Sequence, residues 1–203
     1  MRGPRAPLRV VWAAVCLAMI VSATPASAVW WDVTSQDDGQ LPDFALTDQG
    51  GEAVTRQSLA GFVWVADFIF TRCAGQCPLM SSQMATLQEQ FRDVTDLRLM
   101  SFTVDPAYDT PEVLAAYARH YGAVSPRWRF LTGDREAIWR LARDGCKLGV
   151  SEECTAEEPI THSVRLVLVD QQGHLRGSYD ATDEGALRRL RSDARRLLAP
   201  GPS

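Results

Sequence analysis

The sequence predicts an α/β domain, a central mixed β-sheet flanked by helices. Two observations predict it. Apolar runs rich in β-formers alternate with segments of helical composition from Phe62 onward, and a glycine-marked hairpin near the end is followed by one last amphipathic stretch. The 203 residues, 46% hydrophobic and 23% charged, suit one core plus a targeting segment, and no linker, repeat or low-complexity tract divides them. The formal net charge of −4 argues against a nucleic-acid binder, which needs Lys and Arg clustered on one face.

The chain opens with Arg2, Arg5 and Arg9, then the apolar stretch Val10–Ala23, then Ala26-Ser27-Ala28. A basic start, an apolar middle and an Ala-x-Ala ending make a secretory signal, so residues 1–28 are expected to be removed and the exported chain to begin at Val29. The apolar stretch is shorter than the roughly 20 residues of a spanning helix, although retention as an inner-membrane anchor stays open. Export implies the periplasm, with the protein soluble after cleavage or anchored to the membrane. Residues 29–40 form a loose lead-in, and 41–199 the domain.

Within the domain, Phe62–Phe70 is a continuous apolar run and is expected to be a fully buried strand. Pro78–Phe91 has helical composition, with Pro78 tolerated in the first turn. Leu97–Val104 is the next strand. Asp109-Thr110-Pro111-Glu112 starts a helix, with a capping residue, a proline and an early acid, and the helix runs to about Tyr121 before Gly122. Arg127–Leu131 is a short strand and Asp134–Arg143 a short helix ending near Gly145. Val164–Asp170 and His174–Tyr179 flank the turn Gln171-Gln172-Gly173. Asp183–Leu198 closes the domain. This order is that of a thioredoxin-like fold.

The chemical centre is Cys73-Ala74-Gly75-Gln76-Cys77-Pro78, where the buried strand hands over to a helix. Backbone N–H groups and the helix dipole favour anions there, so both thiols are expected to be pushed towards thiolate, the form that exchanges disulfides and binds soft metals. A plain structural disulfide is the alternative. A copper ion needs a third ligand, and three histidines compete. His120 ends a helix, where a cation is welcome, and His174 sits on a turn. His162, in Pro159-Ile160-Thr161-His162-Ser163, leads into a sheet strand that passes near the thiols; a capping or core role is its alternative.

Three motifs then agree in order: Asp67-Phe68-Ile69-Phe70-Thr71-Arg72-Cys73 with Cys77-Pro78, Thr103-Val104-Asp105-Pro106 with Asp109-Thr110-Pro111-Glu112, and His162 before an apolar strand ending in Asp170. From about Pro42 to Leu198 the chain resembles the Sco/SenC family. The resemblance implies a thioredoxin fold outside the cytoplasm, one bound copper ion (Cu⁺ or Cu²⁺) and a part in assembling the binuclear copper centre of cytochrome c oxidase. It implies Cys73, Cys77 and His162 as copper ligands, and Asp105 as a residue that shapes the site or merely closes a turn. The implied partners are the oxidase subunit carrying that copper site, other copper chaperones and thiol reductants. The chain departs from the family in Ala74-Gly75-Gln76, where a proline and often an acid follow the first cysteine.

Asp67 resembles the buried Asp of thioredoxins, six residues before the first cysteine, and could accept a proton as thiol and disulfide interconvert. That favours a second function, thiol–disulfide oxidoreduction by Cys73 and Cys77; a hydrogen-bonded structural Asp is the alternative. A peroxidase fits less well, because Thr71 stands only two residues before Cys73 and His162 would have no task. Cys146 and Cys154 are expected to form a separate structural disulfide, from the even cysteine arithmetic of an exported chain.

Overall fold

A computed structural model of the chain describes residues 39–151 and 161–199. Residues 1–28, expected to be the signal, and most of the lead-in lie outside them. The described part opens with a hairpin that has only a faint signature in the sequence. Strands β1 (Ala45–Asp48) and β2 (Ala53–Thr55) pair antiparallel. Asp48 shapes the turn between them by accepting the N–H groups of Gly50 at 2.8 Å and Glu52 at 2.9 Å. Strands of four and three residues are too short to show a period, which is why only the Asp-Gln-Gly-Gly turn marks them.

Strand β3 (Val63–Ile69) is buried at all seven residues. Successive side chains of a strand face opposite ways, so both faces of the sheet are covered there. Helix α1 (Cys77–Gln90) takes Pro78 in its first turn and buries Met80, Ser81, Met84 and Leu87 at helical spacing. Strand β4 (Leu97–Thr103), helix α2 (Pro111–His120) and strand β5 (Trp128–Thr132) follow. Thr110 caps α2, its hydroxyl accepting the Val113 N–H at 3.4 Å.

The helix expected over Asp134–Arg143 is divided. Helix α3 (Arg135–Arg140), capped by Asp134, passes into a π-helical turn at Leu141–Gly145, where the Cys146 N–H reaches back to the Leu141 carbonyl at 2.8 Å. Strands β6 (Val150–Ser151) and β7 (Thr161–His162) pair with one another. Strands β8 (Arg165–Val169) and β9 (Leu175–Asp180) form the expected hairpin, with Gly173 at φ +81°, and helix α4 (Glu184–Leu198), capped by Asp183, closes the chain.

The seven-stranded sheet runs β2-β1-β5-β4-β3-β8-β9. β3, β4 and β5 are parallel, and β8 adds antiparallel to β3 through Trp64↔Val169, Val65↔Leu168 and Ala66↔Val167. One face of its centre is aromatic: Phe68 stacks on Phe102 at 5.1 Å and Phe44 meets Phe102 edge-on at 5.6 Å. This is the expected α/β, thioredoxin-like architecture, a mixed sheet with four helices. Among the described residues no helix is long and apolar enough to cross a membrane.

The β8–β9 turn is held by one buried carboxylate. Asp170, 1% exposed, accepts the N–H groups of Gln172 and His174 at 2.9 Å each and Arg176 Nε at 2.6 Å. Asp170→Ala would take one buried acceptor away from three donors and should cost about 2–4 kcal/mol in urea unfolding. A loss under about 0.5 kcal/mol would show that water replaces the carboxylate without penalty.

Candidate metal centre

The parallel ladder of β3 and β4 ends at Ile69↔Thr103, and the chain must turn there from a buried strand into α1. The Cys73 N–H closes that turn on the Phe70 carbonyl at 3.2 Å. Cys77 is the first residue of α1 and has no exposed surface, whereas Cys73 is half-buried and packs against the core. Both are free thiols, and their side chains hydrogen-bond to each other. The sulfurs therefore do converge on one side of the turn.

Their protonation departs from expectation in one respect. The hydrogen bond with Cys73, and then burial, push the Cys77 thiol well above its usual range, outweighing a backbone hydrogen bond from Phe70. The helix N-terminus does not win, because a desolvated sulfur sharing a proton with its neighbour is a poor place for an anion. Cys73 is the sulfur that solvent reaches.

Asp67 lies on β3 at the register position of Ser101 on β4. It has no exposed surface, and neither carboxylate oxygen has a geometrically sound hydrogen bond within the protein. Burial pushes its pKa from 3.8 up to about 7, with the nearby Ser101 hydroxyl opposing the rise. Ser101 Oγ in turn accepts Trp128 Nε1 at 2.9 Å. Asp67 is close enough to Cys77 for its charge to help keep that thiol protonated.

The histidines separate by position. His174 sits at the β8–β9 turn, at the end of the sheet opposite Cys73, with Nδ1 3.7 Å from Asp170. His120 is exposed at the end of α2 beside Tyr121. The backbone of His162 is in β7, just before β8, and the antiparallel β3–β8 register sends that end of β8 towards the end of β3 that carries the thiols. The His162 side chain lies outside the described residues, within which no three His, Cys, Asp or Glu side chains gather as a metal site.

A second loop borders the thiols. Arg72 Nη2 lies 2.5 Å from Asp105, and its guanidinium stacks over the Tyr108 ring at 4.2 Å. The Asp105 carbonyl also closes a turn, accepting the N–H groups of Tyr108 at 3.1 Å and Asp109 at 2.9 Å. Asp105 thus closes a turn, the plainer of its two expected roles, and its carboxylate pairs with the residue before Cys73. Asp109 is the residue that sequence reasoning missed. It reads as part of a helix start, yet it is fully buried and its carboxylate turns to Thr71. Cys146 is a free thiol, 1% exposed, with burial raising its pKa to about 12; Cys154, its expected disulfide partner, lies outside the described residues.

The sequence profile of the SCO1/SenC family matches residues 33–198. The chain belongs to the SCO1/SenC family. It is 33% identical to the SCO1 protein homolog of Bacillus subtilis over 146 residues, 71% of this chain and 75% of that one. A SCO1/SenC family lipoprotein from Bacillus anthracis superposes with a TM-score of 0.72 at 31% identity, covering 79% of this chain and 95% of that one. BsSco, a member of the Sco family of cytochrome c oxidase assembly proteins in which a disulfide switch is identified, superposes with a TM-score of 0.70 at 31% identity, covering 79% and 94%.

Asp67 gives this member a pH signature. Its folded pKa, about 7, lies above the unfolded 3.8, so the fold opposes its ionisation. Stability should therefore fall as pH rises from about 4 to about 7 and then level off, by at most roughly 4 kcal/mol. Asp67→Asn should remove that slope from urea unfolding of the reduced, metal-free protein. Parallel curves for the two proteins would show that Asp67 does not titrate in this range.

Proposed function

We propose that the chain is an extracytoplasmic copper metallochaperone of the Sco/SenC type. It holds one copper ion through Cys73, Cys77 and His162, and delivers it to, or helps mature, the binuclear copper site of cytochrome c oxidase. Its partners are the oxidase subunit with that site, other copper chaperones and thiol reductants. The observation that carries the reading is the pair of adjacent thiols, one half-buried and one buried, at a strand-to-helix turn. Two soft donors and an imidazole suit copper, with the metal as cargo rather than as catalyst. The basic, apolar and Ala-x-Ala segments of residues 1–28 support export to the periplasm, and family membership supports the oxidase as destination.

Copper titration of the reduced protein tests it. About one equivalent should be retained, and Cys73→Ala, Cys77→Ala and His162→Ala should each weaken retention at least about tenfold. His120→Ala and His174→Ala should not, and oxidation to the Cys73–Cys77 disulfide should abolish binding. Equal loading of Cys73→Ala would overturn the ligand set.

A second reading, thiol–disulfide exchange on client cysteines, is favoured by the buried, unbonded carboxyl of Asp67 near Cys77. The Cys73 thiolate attacks one sulfur of a client disulfide, and the other leaves as a thiolate that takes a proton from water. Asp67 takes the Cys77 proton, Cys77 attacks Cys73, and the second client thiol departs. The client gains the two electrons that Cys73 and Cys77 lose. Asp67→Asn should slow this exchange by about 10²–10⁴-fold while leaving copper retention within a few-fold. An unchanged rate across pH 6–9 would leave Asp67 no part in it.

A further inference from the structure

Asp109, Thr71 and Thr103 are tied together beside the thiols, although neither copper ligation nor disulfide exchange calls on any of them. Asp109 and Thr103 are both 0% exposed. The Asp109 carboxylate accepts the Thr71 N–H at 3.1 Å, the Thr71 hydroxyl and the Thr103 hydroxyl. Thr103 Oγ1 in turn accepts the Asp105 N–H at 3.0 Å. Thr71 stands two residues before Cys73, and Asp105 bonds Arg72, the residue between them.

The location explains the arrangement. The β3–β4 ladder ends where the Val104 N–H donates to the Ile69 carbonyl at 2.8 Å, and beyond it the two strands part. A Thr71 N–H past the last ladder bond still needs an acceptor away from water. Asp109 supplies it from the far side of the gap, so one carboxylate holds the loop of the first cysteine to the loop leaving β4. Cys77 needs no such tether, being the first residue of a packed helix with its side chain in the core.

We propose that Asp109 is a positioning residue for the dithiol. By holding Thr71 it sets where Cys73 stands relative to Cys77, and so how readily the pair closes to a disulfide and how firmly it retains a metal, without touching either sulfur. Only the metal part rests on the copper reading. An anchor that merely stabilised the fold would lower unfolding stability and leave the dithiol of the folded protein unaltered.

The experiment compares wild type, Asp109→Asn, Thr71→Val and Thr71→Ser, each checked for folding by near-UV circular dichroism. The reduced proteins are equilibrated with glutathione and glutathione disulfide, so that each disulfide formed releases two glutathione thiols, and copper retention is measured against a chelator. Asp109→Asn and Thr71→Val should shift the dithiol–disulfide equilibrium constant about tenfold or more and weaken copper retention comparably. Thr71→Ser keeps the hydroxyl and should stay within about twofold of wild type. Should Asp109→Asn fail to fold, Thr71→Val decides, since Thr71 is only partly buried. Equilibrium constants within twofold of wild type in the folded variants would overturn the proposal. Failure of wild type itself to retain copper would overturn the copper reading alone, and the glutathione equilibrium would still decide the role of Asp109.

Discussion

The thiol pair depends on one constraint: the chain must leave a fully buried strand and begin a helix without exposing the backbone between them. All seven residues of β3 are buried, with a parallel neighbour on one side and an antiparallel one on the other. Past Ile69 the ladder stops, and each backbone group needs another partner. The Phe70 carbonyl takes the Cys73 N–H, and Asp109 takes the Thr71 N–H. The helix that follows starts at Cys77 with Pro78 in its first turn and no side-chain cap. The result is an asymmetric pair. One sulfur meets solvent; the other is part of the core.

Two buried carboxyls near that junction show how differently the same group can behave. Asp109 is surrounded by donors, a backbone N–H and two hydroxyls, and acts as a strut. Asp67 has no sound hydrogen bond to either oxygen, and burial moves its pKa to about 7. A buried carboxyl without donors resists ionisation, because removing charge from water costs several kcal/mol unless something replaces the solvent. Asp67 is thus poised to change protonation near neutral pH, beside a thiol that holds its own proton tightly.

Sheet polarity divides the remaining polar residues. The β8–β9 turn gathers Asp170, His174 and Arg176 at the end of the sheet away from the thiols. The opposite end of β8, preceded by β7, runs towards the thiol turn. The pair of Arg72 and Asp105 spans the two loops at that end, with the guanidinium half open to solvent and the carboxylate mostly buried.

By itself the sequence determined the α/β class, the fully buried β3, the helix following the cysteine turn, the β8–β9 hairpin and the closing helix. Each of these follows from local periodicity or from a residue with one strong preference, such as Pro78 in a first helical turn or Gly173 at positive φ. The β1–β2 hairpin was barely legible, since three or four residues hold no measurable period, and the π-turn at Leu141–Gly145 not at all, since it differs from an α-helix by one residue per turn. Cys73, Cys77 and Asp67 stood out as chemistry because a charge in an apolar run and close cysteines at a strand-to-helix turn are rare. Their burial and protonation were decided by tertiary structure alone. Residue type and spacing predicted two acidic thiols, whereas their mutual hydrogen bond and the burial of Cys77 hold that thiol protonated. Asp109 looks like a helix cap until the fold sets it opposite Thr71, 38 residues earlier in the chain. Burial and long-range partners are properties of the packed sheet, and no local stretch of sequence contains them.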